Sequence, residues 1–130
     1  MDYLAVIAAA AAAYAFGAFW YMTLSKPWIK ASGLTKEQLQ SAKAKKATPF
    51  IVSAVMMLVV AGMMRHGLGM AGIDSAGKGA LAGFGLGAFI AAPWIVTNHG
   101  YEMQPKILTA IDGGYAIIGC TLMGLVLGLF

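Results

Sequence analysis

Charge is what this chain has least of. Only 11% of its 130 residues are Asp, Glu, Lys or Arg, against roughly 25% in soluble globular domains, which excludes an ordinary water-soluble domain. Cysteine is almost missing too. The lone Cys120 can form no intrachain disulfide, and it gives no reading of redox compartment. The two histidines, His66 and His99, fall on opposite sides of the expected membrane, and no phosphate-cradling loop joins a strand to a helix. Nothing here assembles into a catalytic set, so neither an enzyme activity nor a cofactor is expected. Positive charge is also missing from the start, Met1-Asp2-Tyr3. Residues 8–13 offer small-residue cleavage patterns, but without a basic n-region they are not expected to be a signal peptide.

What is present is apolar: 60% of the residues are hydrophobic. Residues 3–25 contain no Asp, Glu, Lys, Arg or His across 23 positions, and about 20 such residues cross the hydrocarbon core at 1.5 Å rise each. Residues 48–64, 79–97 and 107–130 supply 17, 19 and 24 more, each enough for one crossing, the second marginally. A backbone in lipid must satisfy its own hydrogen bonds, and runs rich in Ala, Leu and Met without strict alternation suit helices rather than barrel strands. The expected fold is therefore all-α: a polytopic membrane protein, one domain, four transmembrane helices in a compact bundle.

The few cations are unevenly placed. Lys26, Lys30, Lys36, Lys43, Lys45 and Lys46 crowd the first loop and Lys106 the third, whereas the second holds Arg65 and Lys78. Loops rich in Lys and Arg stay in the cytoplasm, so both termini are expected on the non-cytoplasmic side of a bacterial inner membrane. Trp20, Tyr21, Trp28 and Trp94 fall near the inner boundary and are expected to anchor the interface. In the basic loop, Thr35 and Gln38 have capping-box spacing for a short amphipathic helix, with Glu37 in its first turn and Lys43, Lys45 and Lys46 in its last. Pro49 stops that pattern or restarts it as the second span begins. Lys26, Lys30, Lys43, Lys45 and Lys46 suit anionic headgroups, although a topology signal needs only their charges.

Small residues recur at helical spacing. Gly79, Gly83, Gly87 and Ala91 follow one another every four residues, Gly124 and Gly128 repeat the interval, and Ala9, Ala13 and Gly17 do so in the first span. Such seams let a second backbone approach closely, either within the bundle or from another subunit. Pro93 removes the hydrogen bond to the Phe89 carbonyl, and a kink is expected there. A short echo, Gly17-Ala18-Phe19 against Gly87-Ala88-Phe89, is compatible with a parallel repeat of two hairpins.

Polar residues gather on the expected inner side. Asn98, His99, Tyr101 and Glu102 fall in the third loop, and Asp112 lies inside the fourth apolar stretch. A carboxylate in a span marks a proton or cation site by default, with Glu102 and His99 as its neighbours. Entry into the hydrocarbon at Ile107 buries Asp112 by about 8 Å. Entry at Gly113 leaves it interfacial. Thr109, Tyr115, Ala116 and Gly119 share its helical face, which is therefore expected to point into the bundle. Met56, Met57, Met63, Met64, His66 and Met70 bracket the other end of the second span. Thioethers beside an imidazole suit Cu(I), but methionine is the commoner apolar filler and no metal is expected.

Phe19-Trp20-Tyr21, Lys26-Pro27-Trp28, Ser32-Gly33-Leu34-Thr35-Lys36-Glu37, Tyr101-Glu102 and Ile111-Asp112-Gly113-Gly114-Tyr115 together resemble domain-of-unknown-function family 1761, small bacterial membrane proteins of four predicted helices. The resemblance implies the same architecture and supplies no activity. It marks Trp20, Tyr21, Trp28, Glu102 and Tyr115 as motif positions. The family often has Asn where this chain has Asp112, and a basic residue where it reads Met103-Gln104.

The resulting expectation is a non-enzymatic inner-membrane protein acting through helix association, as a homo-oligomer or an accessory subunit. The alternative is a small transporter or channel for a proton, cation or small solute. Expected partners are anionic lipid and itself or other membrane subunits; no nucleic acid is expected.

Overall fold

Each apolar run becomes a helix in the computed structural model, which describes residues 2–33, 35, 37–38 and 47–130. The order is α1 (Asp2–Thr23), α2 (Ser25–Ser32), α3 (Ala47–Met70), α4 (Ala76–Leu86), a π turn (Gly87–Ala91), α5 (Ala92–Tyr101) and α6 (Lys106–Leu129). Among the described residues there is no strand. Four helical runs are long and apolar enough to cross a membrane: Tyr3–Thr23, Thr48–Met70, Ala76–Tyr101 and Lys106–Leu129. The third joins α4, the π turn and α5 into one rod.

The second and third spans outgrow the charge-free stretches that announced them. Arg65 and His66 lie in the last turns of α3 rather than in the loop, and Asn98, His99 and Tyr101 belong to α5. A charge near a helix end does not stop the helix, because a long side chain can reach the interface while its backbone stays in the ladder. The second span is therefore 23 residues long and no longer marginal.

The connections are set by residues suited to leave a helix. Gly33 ends α2 in the left-handed region at φ 70°, a conformation glycine takes without a Cβ penalty. Gly72, at φ 71°, turns the chain between α3 and α4, and Ser75 caps α4 by accepting the Lys78 N–H at 3.2 Å. In the basic loop both capping-box bonds are present. The Gln38 N–H donates to Thr35 Oγ1 at 3.2 Å and the Thr35 N–H to Gln38 Oε1 at 2.8 Å. Lys43, Lys45 and Lys46 lie outside the described residues.

Alanine makes much of the core. Ala5, Ala9 and Ala13 of α1 are fully buried, with Ala61, Met64 and Leu68 of α3 and Met123 and Leu127 of α6 packed around them. Apolar tails surround the bundle, so close van der Waals packing, rather than escape from water, favours helix contact there.

The tightest packing joins α4 to α6, running antiparallel. A Cβ on Gly79 would fall on the Gly124 carbonyl oxygen, one on Gly83 on the Cys120 carbonyl, and one on Gly128 on the Ser75 carbonyl. On Gly87 it would come within 2.7 Å of Ile117 Cα. The seam read from Gly79, Gly83, Gly87, Gly124 and Gly128 is thus filled by the chain itself. Ala91 is the exception. The Ala92 N–H bonds back to the Gly87 carbonyl, five residues earlier, so the π turn inserts one residue and moves Ala92 into line. The Ala92 Cβ, not that of Ala91, meets Gly113, and Ala91 instead lines a cleft toward α3. The π turn just before Pro93 adapts the ladder where the ring removes a donor.

Candidate functional site

The site is built where α1, α5 and α6 meet. Helix α6 starts at Lys106, so Asp112 lies about 9 Å along it at 1.5 Å per residue. Both of its oxygens are engaged by other spans. The Tyr21 hydroxyl of α1 donates to Oδ1 at 2.6 Å, and His99 Nε2 of α5 lies 3.3 Å from Oδ2. The imidazole is oriented from its other side, with Nδ1 2.9 Å from Thr109 Oγ1. An ionised carboxylate only accepts, so facing one, Nε2 carries a proton; in the neutral ring Nδ1 then accepts from the threonine, and in the imidazolium it donates to it. The His99 and Asp112 side chains are 16% and 29% exposed, so the pair is reachable from the bundle end without lying open.

A polar and aromatic track leads inward. The Tyr21 and Tyr115 rings meet edge to face at 5.5 Å. The Tyr115 hydroxyl donates to the Ala13 carbonyl at 3.1 Å and approaches Met57 Sδ at 3.4 Å. Ala13 lies eight residues from Tyr21, about 12 Å along α1.

The two sequence motifs, 91 residues apart, are two sides of one contact. Trp20 Nε1 donates to the Ile111 carbonyl at 2.9 Å, and a Cβ on Gly114 would come within 2.9 Å of the Trp20 ring. Tyr115 lies over Gly17, where a Cβ would stand 2.8 Å from its Cζ. Gly113 turns the other way, toward Ala92. Gly114 thus lets α6 approach α1 closely, whereas at Gly113 a Cβ would meet Ala92 only at 4.0 Å.

Of the expected proton or cation residues, Asp112 and His99 come together and Glu102 does not. Glu102 is exposed and closes α5 through its backbone N–H to the Asn98 carbonyl at 3.0 Å. Trp20 and Tyr21 spend their polar atoms inside the protein rather than pointing them at headgroups. Trp94, at 66% exposed, faces outward as an anchor would, and Trp28 is half-buried on α2, where Lys26 and Lys30 are exposed. Thr109 was legible, three residues before Asp112 on one helical face. Tyr21 as its partner was not.

The methionines separate. Met57 packs against Tyr115, Met64 is buried, and Met63, Met70 and His66 are exposed. Among the described residues no three His, Cys, Asp or Glu side chains group as metal ligands.

Four apolar helices bound by a glycine seam and carrying a half-buried carboxylate at one end define a multi-pass α-helical membrane protein. Residues 4–128 match the family described as Protein of unknown function (DUF1761), and the chain belongs to it. No curated protein and no solved structure matches the chain.

Proposed function

We propose that this protein is a small, non-enzymatic transporter or channel for a proton or cation, with Asp112 and His99 as its site. The observation that carries the reading is the engagement of both Asp112 oxygens by groups from two other spans. Ionisable side chains within spans are rare and mark ion paths and proton relays. Here imidazole, carboxylate and phenol touch in sequence, and Tyr21 and Tyr115 continue toward the middle of α1. We place the cluster on the cytoplasmic side of a bacterial inner membrane, with both termini outside, on the bias of seven inner cations, Lys26, Lys30, Lys36, Lys43, Lys45, Lys46 and Lys106, over the two outer ones, Arg65 and Lys78.

Purified protein in liposomes carrying a pH-sensitive or cation-sensitive dye tests this. Flux that Asp112→Asn abolishes while the protein stays folded is expected; a wild type that moves no proton or cation sinks the proposal.

Association, as a homo-oligomer or an accessory subunit, is a second reading. It is favoured by the wide outward faces of α3 and α4, where Ile51, Val52, Val55 and Leu81 are exposed. The glycine seam is not available to it, being filled from within. Purification in mild detergent, with particle mass and co-purifying proteins measured, checks it: a lone monomer counts against it.

A further inference from the structure

The second and third spans diverge, leaving a cleft of about 710 Å³ between α3 and α4. Met63, Gly67 and Leu68 form one wall, Gly85 and Phe89 the other, and Cys120 of α6 also lines it. Apart from that thiol, every lining side chain is hydrocarbon, thioether or absent. Such a surface offers nothing to a hydrated ion or a polar solute.

The position of the cleft identifies its occupant. It runs from the loop joining α3 to α4, at Ala71 and Ile73, to Val59 on α3 and Ile90 in the π turn. From Ala71 back to Val59 is twelve residues, about 18 Å of helix, close to the roughly 15 Å of one leaflet of a 30 Å hydrocarbon core. A transmembrane helix of a partner would need a groove along the full span; this one ends near mid-span. At the loop end stands Lys78, four residues before Ala82 and seven before Gly85, hence on their face of α4. Its side chain is 69% exposed and pairs at 3.7 Å with Asp74, which is more open still at 80%.

We propose that this cleft holds one acyl chain of a phospholipid from the leaflet on the side of the α3–α4 loop, with its phosphate at the level of Lys78. The site is separate from the Asp112 cluster and stands whether or not that cluster moves ions. A held lipid fills the gap that the short reach between α3 and α4 leaves, where a void would forfeit van der Waals contact on both walls.

The test uses the full chain reconstituted in vesicles of phosphatidylcholine doped with chain-spin-labelled phosphatidylglycerol, read by electron spin resonance. A motionally restricted component is expected for the wild type. Gly67→Leu and Gly85→Leu each fill the cleft from one wall, with open space at both positions, and each is expected to remove about one restricted lipid per protein from that component, leaving the shell around the rest of the bundle. Gly62→Leu, equally open but on the far side of α3, is expected to retain it. Lys78→Gln is expected to weaken retention of the anionic lipid. A wild type without a restricted component overturns the proposal, as does an undiminished component in both filled variants. So does a wild-type dimer that Gly85→Leu separates, because a second copy would then occupy the cleft.

Discussion

At Asp112 two roles make different demands on one side chain. As a clamp, it must accept the Tyr21 hydroxyl and meet His99, which a neutral amide does nearly as well. As a proton or cation site, it must also change or balance charge, which an amide cannot do. Interhelical hydrogen bonds in membranes contribute about 0.6 kcal/mol on average and up to about 1.7. Tyr21→Phe is therefore expected to lower stability by about 0.6–1.7 kcal/mol, measured by unfolding in mixed micelles. Asp112→Asn is expected to cost less than Asp112→Leu, which removes both contacts. If Asp112→Asn keeps its stability and loses flux, charge is the function; if it keeps both, the cluster is a clamp. Gly114→Ala gives a third reading, because its Cβ must push the Trp20 ring aside. It should weaken the Trp20 bond to the Ile111 carbonyl and shift tryptophan fluorescence. The carboxylate was legible in the sequence as the only charge in its stretch. Its partner was not, because an aromatic side chain at a span end serves a lipid interface as readily as a hydrogen bond, and 91 residues of chain separate the two.

Glycine positions that look alike in the sequence differ by what faces them in the folded elements. Gly83 and Gly85 stand two residues apart in α4. A Cβ on Gly83 meets the Cys120 carbonyl, whereas one on Gly85 meets nothing within 4 Å. Overpacking costs about 1–3 kcal/mol where neighbours can adjust and more where they are backbone. Gly83→Leu is thus expected to lose at least about 3 kcal/mol or fail to fold, and Gly85→Leu to remain folded, as thermal unfolding in detergent would show. The four-residue interval follows the close approach to α6 through Gly79, Gly83 and Gly87. It failed at Ala91 because the interval assumes an unbroken α-helix, and the π turn ahead of Pro93 adds a residue. Proline announces a disturbed ladder, but whether the chain kinks or widens depends on what the neighbouring helix admits, here the backbone of Ile117 beside Gly87. Ala92→Leu should therefore destabilise the protein more than Ala91→Leu, the reverse of what regular spacing implies. Equal unfolding temperatures for the two variants would count against the π turn.

Across the whole molecule, the two ends of the bundle are chemically unlike. One carries the lysine-rich loop, the capping box at Thr35 and the Asp112 cluster; the other carries both termini, the tight Ser75 turn and the open cleft. Span count and helical class were legible because a bilayer admits few backbone solutions for long uncharged runs. The cleft was not, because a half-length gap between two spans leaves no mark in residue spacing. The charge difference between the ends predicts orientation, and the longer spans leave that prediction intact: Arg65 and Lys78 now lie within helices but remain at the end opposite Lys26 and Lys106. An alkaline phosphatase fused after Phe130, active only outside the cytoplasm, is expected to be active, and the same reporter placed after Lys30 inactive. Moving cations tests the cause as well as the outcome. Replacing Lys26, Lys30, Lys36, Lys43, Lys45 and Lys46 with Gln while adding lysines beside Gly72 should lower activity at Phe130 and raise it at the Lys30 fusion. Orientation that ignores this exchange would mean that partner contacts or the folding of the helical hairpins, rather than retained positive charge, set how the bundle sits.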